Sequence, residues 1–222
     1  MIQQDGCVFF DILAAERWLG HAFTTRGFEG GAGAFETREA AVGRLRDRFF
    51  PGVRGAVWGE QVHGKAVALA DGRGAPWGER PGVDALIAGA EGVLLAAFSA
   101  DCPTVFIADR RARAIGLVHS GRRGTEQGVV GACLDEMAAA FNTSPADCVC
   151  AISPSIGPCC YPVDLWSLLE EELGKRGVAA VENPRICTSC SPALFHSYRR
   201  ERGRCGRMVG AMTVRGGGVE RR

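Results

Sequence analysis

The chain has 222 residues, with 26 basic and 25 acidic side chains and a formal net charge of +1. That balance excludes a nucleic-acid binder or polybasic membrane protein driven by bulk charge. A 46% hydrophobic content on a nearly neutral chain excludes disorder, and the length fits one domain over residues 1–222.

In chain order, the N-terminus from Met1 to Asp11 has no basic segment and no long apolar run. The reading is therefore a protein without a secretory signal, soluble and cytoplasmic. The stretch Gly27 to Gly33 reads as a loop. Residues Glu36 to Phe50 show helical spacing, with Ala40, Ala41, Leu45, Phe49 and Phe50 on one side, and Pro51-Gly52 ends the segment. Further helices are predicted from Gln127 to Phe141 and from Val163 to Leu173. Strands are predicted at Ala66–Ala70, Ala85–Ala88, Val93–Phe98, Thr104–Ala108, Ala114–Val118, Cys148–Ile152 and Val209–Val214. Around the third of these, Gly92 to Phe98 is the best apolar run, and it is too short to span a bilayer. Several strands follow one another without a helix between them. The fold class is α+β, a layered domain of mixed sheets flanked by helices. The Gly- and Arg-rich tail from Arg215 to Arg222 reads as frayed.

Ten cysteines stand among the residues. Without an export signal they read as free thiols or metal ligands, or as small buried apolar residues, rather than disulfides. Cys187-Thr-Ser-Cys190 is a CxxC that Cys159 and Cys160 would complete to a four-thiol zinc knot. Adjacent cysteines are poor partners in such a knot, and the usual second CxxC is missing, so the reading does not favour it. A redox role for the CxxC lacks its strand–CxxC–helix context.

Cys102 and His119 flank two apolar runs separated by Asp109-Arg-Arg-Ala112. A tight hairpin centred between Arg110 and Arg111 would set Cys102 opposite His119, about 4.5–5.5 Å apart at Cα. A thiol and an imidazole at that distance can share a metal ion or form a nucleophile pair. A buried cysteine beside a core histidine is the bland alternative. His63, in Glu60-Gln-Val-His-Gly64, reads by itself as an ordinary turn residue.

Taken in order, several segments carry a resemblance. They are Gly20-His-Ala-Phe-Thr-Thr-Arg-Gly27, Gln61-Val-His-Gly64, Ser99-Ala-Asp-Cys-Pro-Thr104 and Val118-His-Ser-Gly-Arg-Arg-Gly124. Ser155-Ile-Gly-Pro-Cys-Cys-Tyr161, Cys187-Thr188, Ser197-Tyr-Arg-Arg200 and Gly206-Arg207 follow. The chain resembles the YfiH-like polyphenol oxidase (laccase-domain) family, also described as purine nucleoside phosphorylases. The resemblance implies a layered α+β domain and a zinc ion held by His63, Cys102 and His119, which also become the catalytic residues. Two imidazoles and a thiolate leave a fourth position open, as catalytic zinc sites do. The implied reactions are phosphorolysis of purine nucleosides to base and ribose 1-phosphate, and deamination of adenosine. The implied partners are a nucleoside and phosphate, with no nucleic acid and no membrane; no oligomeric state follows.

Arg26 and Arg123 are the candidate phosphate contacts, because a planar guanidinium fork suits an oxyanion. Gln61 is a candidate for orienting substrate or water. Arg199, Arg200 and Arg207 are further cationic candidates for the same pocket. The His-x-Glu and Pro-Cys-x-x-Cys signature of cytidine-type deaminases is absent. Two alternatives stand beside this reading. One is a copper-dependent polyphenol oxidase, against which the total of four histidines counts, since multicopper clusters need many imidazoles. The other is a Cys102–His119 hydrolase or amidase. The chain departs from the family pattern at Arg122, where the family has Trp, at Pro162, where a Glu is usual, and in a shortened segment between Gly31 and Arg44.

Overall fold

The computed structural model describes residues 1–28, 37–70 and 77–216. The expected Gly27–Gly33 loop lies outside them from Glu29 onward, as do the expected helix start at Glu36 and the tail beyond Gly216. Thirteen strands and five α-helices are found among the described residues. The strands are β1 Ile2–Gln4, β2 Cys7–Phe9, β3 Leu19–Thr24, β4 Gly55–Gly59, β5 Val67–Leu69, β6 Gly78–Arg80 and β7 Ala85–Ala88. They continue as β8 Val93–Ser99, β9 Thr104–Asp109, β10 Ala114–His119, β11 Cys148–Ile152, β12 Ala180–Glu182 and β13 Met208–Val214. The helices are α1 Asp11–Ala14, α2 Arg38–Phe49, α3 Arg122–Glu126, α4 Val129–Phe141 and α5 Leu165–Lys175.

Two mixed sheets result. One runs β1-β2-β3-β13-β8-β4-β6 and the other β12-β11-β9-β10-β7-β5. Alternate residues of the central strands divide between two cores, as the two-residue period of a strand requires. In β8, Val93, Leu95 and Ala97 join Phe106, Ala108, Ile115 and Leu117 of the second sheet. The intervening Leu94, Ala96 and Phe98 face Ala41, Val42 and Leu45 of α2. In the second sheet, Val105 and Ile107 face Val130, Cys133 and Met137 of α4 and Leu169 of α5. The order of layers is therefore helix, sheet, sheet, helix. Strands buried on both faces read as continuous apolar runs, and each large side chain buried contributes about 1.5–3 kcal/mol.

Capping fixes the helix starts. The Thr37 hydroxyl accepts from the Ala40 amide at 3.2 Å, and Asp164 Oδ1 accepts from the Ser167 amide at 3.1 Å. The predicted strands are all present within a residue or two at their ends. The expected helix from Gln127 to Phe141 is α4 and begins two residues later, because Gln127 caps α3 and Gly128, at φ 75°, turns the chain into α4.

One expected register is corrected. His119 pairs with Thr104, and Ala114 with Asp109, so the β9–β10 hairpin is displaced by two residues from the pairing predicted about a centre between Arg110 and Arg111. The longer turn is built by Asp109, whose Oδ1 accepts from the Arg111 and Ala112 amides at 2.8 and 2.9 Å, with Arg113 at φ 52°. An even displacement keeps every side chain on its predicted face.

Candidate metal centre and cavity

Two of the loops that carry the chain from one sheet to the other frame the site. One leads from β4 to β5 and carries His63; the other leads from β8 to β9 and carries Cys102. His119 ends β10 beside them. Each loop contains residues in the left-handed region: Gln61 at φ 64°, His63 at φ 60° and Asp101 at φ 87°. Such residues persist only where their surroundings hold them.

The restraints are specific. Asp84, fully buried, accepts from the His63 amide through Oδ1 at 3.0 Å and from the Gly64 amide through Oδ2 at 2.7 Å. The same carboxylate faces His119 Nδ1 at 2.8 Å. His119 Nε2 is thereby left to face the site. Gln61 pairs with the Phe98 backbone, its Nε2 donating to the carbonyl at 2.6 Å and its Oε1 accepting from the amide at 2.8 Å. Asp101 accepts from Thr188 Oγ1 at 2.7 Å and from the Arg199 amide at 2.8 Å.

These restraints bring His63, Cys102 and His119 together, with their donor atoms within 4.8 Å of one another. Cys102 Sγ is 3.8 Å from His63 Nε2. The imidazoles of His63 and His119 meet edge to face at 4.9 Å. Burial opposes charging the Cys102 thiol, but hydrogen bonds from His119 and His63 prevail and lower its pKa to about 6. Burial likewise opposes a proton on His119, and the Asp84 and Cys102 partners raise its pKa to about 9. Both shifts favour the thiolate–imidazolium form of the pair. Two imidazoles and one thiolate at this spacing fit a borderline-soft ion in tetrahedral geometry with a free position.

The three donors line a cavity of about 720 Å³, within the size range of small-molecule sites. Its other walls include Phe98, Tyr161 and Tyr198 and the guanidinium groups of Arg38, Arg122, Arg199, Arg202 and Arg207. Arg38 is tied to Glu79 and Arg122 to Glu126. Arg199, Arg202 and Arg207 have no carboxylate partner among the described residues. Arg199 lies over the Tyr161 ring and Arg207 over Tyr198, at 5.4 and 5.8 Å from the ring centres.

Sequence reasoning placed some residues here and others elsewhere. Gln61 lines the cavity, though its amide is bound to Phe98. Arg26 and Arg123 are not among the lining residues. Arg26 pairs with Glu201, and Arg123 is exposed on α3. Arg200 donates to the Ser189 carbonyl, whereas Arg199 and Arg207 reach the cavity as expected. Arg122 lines it at the position where the family pattern has Trp. Asp84 and Arg202 were missed. A strand-opening aspartate among apolar residues was the available signal for Asp84; nothing in sequence marked Arg202. His21 and His196 are buried outside the cavity lining. His21 Nε2 accepts from the Phe10 amide at 2.9 Å, and burial lowers its pKa to about 4.

A family model described as "Multi-copper polyphenol oxidoreductase laccase" matches residues 34–164 and 162–215. The chain belongs to this family. Similar proteins include "Purine nucleoside phosphorylase YlmD" of Geobacillus stearothermophilus, 36% identical over 58% of this chain and 59% of the relative. "Purine nucleoside phosphorylase SCO2081" of Streptomyces coelicolor is 33% identical over 69% of this chain and 73% of the relative. The alignment thus spans about three-fifths of the length of YlmD. Among solved structures, YlmD from Geobacillus stearothermophilus matches with a TM-score of 0.80 and 29% identity, over 90% of this chain and 93% of that one. The Bacillus licheniformis protein YfiH has the same fold, with a TM-score of 0.84 at 21% identity, over 96% and 97% of the two chains. The family's α+β architecture of two mixed sheets is therefore this chain's architecture. No helix among the described residues is long and apolar enough to cross a membrane.

Proposed function

We propose that this chain is a zinc-dependent purine nucleoside phosphorylase that also deaminates adenosine. The observation that carries the reading is the convergence of His63, Cys102 and His119 on one wall of a cavity whose remaining walls are aromatic and cationic. The names of the relatives support the same substrate class. A zinc ion on these three donors would supply Lewis acidity and an open position for water or a substrate oxygen.

The chain's own residues supply the rest. Tyr161, Tyr198 and Phe98 offer flat apolar faces to a purine ring. Arg199, Arg202 and Arg207, which have no carboxylate partner among the described residues, hold phosphate and oppose its charge as it attacks the anomeric carbon. In that step a phosphate oxygen bonds to the carbon, the glycosidic C–N bond breaks, and the base leaves with the bonding pair and takes up a proton. Asp84 holds the His119 tautomer and the His63 backbone, and so positions both imidazoles.

A second reading has one observation in its favour. Asp84, His119 and Cys102 form a connected series with a depressed thiol, the arrangement of a cysteine hydrolase. A polyphenol oxidase with a copper cluster finds little support, because two of the four histidines, His21 and His196, lie outside the site.

The test is a product assay with adenosine, with and without phosphate, run beside His119→Ala. Adenine and ribose 1-phosphate that require phosphate and vanish in the variant support the phosphorylase. Inosine in both conditions supports deamination. Absence of turnover refutes the purine reading, and activity that survives chelation but not thiol alkylation selects the hydrolase.

A further inference from the structure

A second group of metal-ligating side chains lies outside the cavity. Cys159, Cys160, Cys187 and Cys190 bring their sulfurs within 4.8 Å of one another. The Cys190 sulfur is 3.6 Å from that of Cys159 and 3.5 Å from that of Cys160. An ion with four metal–sulfur bonds of about 2.3 Å in tetrahedral array sets its sulfurs about 3.8 Å apart. The observed spacing is close to that edge and far from the roughly 2.05 Å of a disulfide.

Local structure removes the objection to adjacent cysteines. The amides of Cys160 and Tyr161 both donate to the Gly157 carbonyl, at 2.9 and 3.0 Å. The chain there is a tight turn, so neighbouring side chains are not forced to opposite faces as they would be on a strand. The Cys187–Cys190 loop turns similarly, with the Cys190 amide on the Cys187 carbonyl at 3.2 Å. A bridge between Ser155 and Cys187 holds the two loops side by side. The Gly157 amide donates to Cys187 Sγ at 3.3 Å, an outer contact of the kind that supports a bound thiolate. Cys159 and Cys190 are exposed, so an ion can enter, whereas Cys7, Cys133, Cys148 and Cys150 are sealed in apolar cores.

We propose that Cys159, Cys160, Cys187 and Cys190 bind a structural zinc ion, distinct from the His63–Cys102–His119 centre. Four protein sulfurs fill a tetrahedral ion and leave no position for a substrate. Thiolates also select zinc over magnesium or calcium. Each thiol gives up its proton as its sulfur–zinc bond forms. The ion ties together the two loops behind the cavity wall. Cys160 precedes Tyr161, and Thr188 of the other loop holds Asp101, which in turn holds the Arg199 amide. Tyr161 and Arg199 are thus set by one clamp.

The experiment loads the full chain with Zn2+ under reducing conditions and removes free metal. His63→Ala/His119→Ala protein is expected to retain about one zinc per chain, with X-ray absorption reporting four sulfur neighbours at about 2.3 Å. Cys190→Ser in that background is expected to lose the ion. In the unsubstituted protein, Cys159, Cys160, Cys187 and Cys190 should resist alkylation until a chelator is added, which keeps the test valid if a variant fails to fold. Free alkylation of these four in zinc-loaded protein, their recovery as disulfides, or a zinc-free histidine variant that remains folded overturns the proposal.

Discussion

Asp84 Oδ1 stands 2.8 Å from His119 Nδ1 and also accepts the His63 amide hydrogen at 3.0 Å. One buried oxygen thus orients one imidazole by its ring and the other by its backbone. Asp84→Asn keeps the shape but loses the charge, so it weakens the hold on both. The expected result is a loss of about 10–100-fold in zinc affinity, measured by competition with a chromophoric chelator. Unchanged affinity would show that the two imidazoles are positioned without it.

Proton binding sets the pH dependence of the same centre. His119 has its pKa raised to about 9 in the folded chain, from about 6.5 unfolded. Its contribution to the stability of the metal-free protein is complete below about 6.5 and fades as pH rises through about 9. Cys102 is lowered to about 6, from about 8.5 unfolded. Its contribution is complete above about 8.5 and is lost as pH falls through about 6. The metal-free pair is therefore most stabilising between these limits. Zinc must displace the His119 proton, so its affinity should rise up to about tenfold per pH unit from about 7 to 9. Isothermal titration in buffers of different ionisation enthalpy counts the released proton, and a flat profile would refute the pairing.

Gly121 opens the loop into α3 at an ordinary φ of −66°. A Cβ there would lie 2.5 Å from His63 Cδ2 and 3.0 Å from Cys102 Sγ. Gly121→Ala should therefore spare the backbone and displace the metal donors. The expected outcome is a folded protein by circular dichroism with zinc content well below one equivalent at this centre. Full occupancy would mean that the His63 ring moves aside at little cost.

The cavity arginines separate from Arg26 and Arg123, the first candidates for phosphate on sequence. Arg199→Ala, Arg202→Ala and Arg207→Ala should each raise the KM for phosphate, by about tenfold for a charged hydrogen bond of roughly 1.5 kcal/mol. Arg123→Ala should leave it unchanged. Arg26→Ala should act through the Arg26–Glu201 pair, a partly exposed contact of about 1 kcal/mol at most, and be seen in urea denaturation rather than KM. The reverse pattern in steady-state kinetics would move the anion site.

Gln61 gives its amide to both backbone groups of Phe98. Gln61→Ala leaves two part-buried backbone groups without that partner, at about 1–3 kcal/mol each where water does not replace it. The expected signature is a lowered denaturation midpoint with kcat reduced and KM little changed. A selective rise in nucleoside KM, with stability intact, would instead return Gln61 to substrate binding.

The sequence by itself determined the mixed-sheet α+β class and the position of most central strands. Continuous apolar runs at Val93–Phe98, Thr104–Ala108 and Cys148–Ile152 fit strands covered on both sides, and the three- and four-residue steps after Gln127 fit a helix that covers a sheet. Strands interrupted by glycine, such as Gly55–Gly59, or sharing a segment with polar residues, such as Leu19–Thr24, gave no comparable pattern. The ordered motifs singled out His63, Cys102 and His119, because each motif is local. Tertiary structure decided what depends on contacts between distant segments. The Asp109 side chain lengthened the hairpin turn and moved the register by two residues. Asp84 became the common support of two histidines, although 20 residues or more separate it from its partners. Arg202 joined Arg199 and Arg207 at the cavity, while Arg26, Arg123 and Arg200 stayed outside its lining. Four cysteines from two loops some 30 residues apart met at one point. A charge or a thiol has no periodicity; its partner is fixed by where the loops close, and that is settled only when the two sheets have packed.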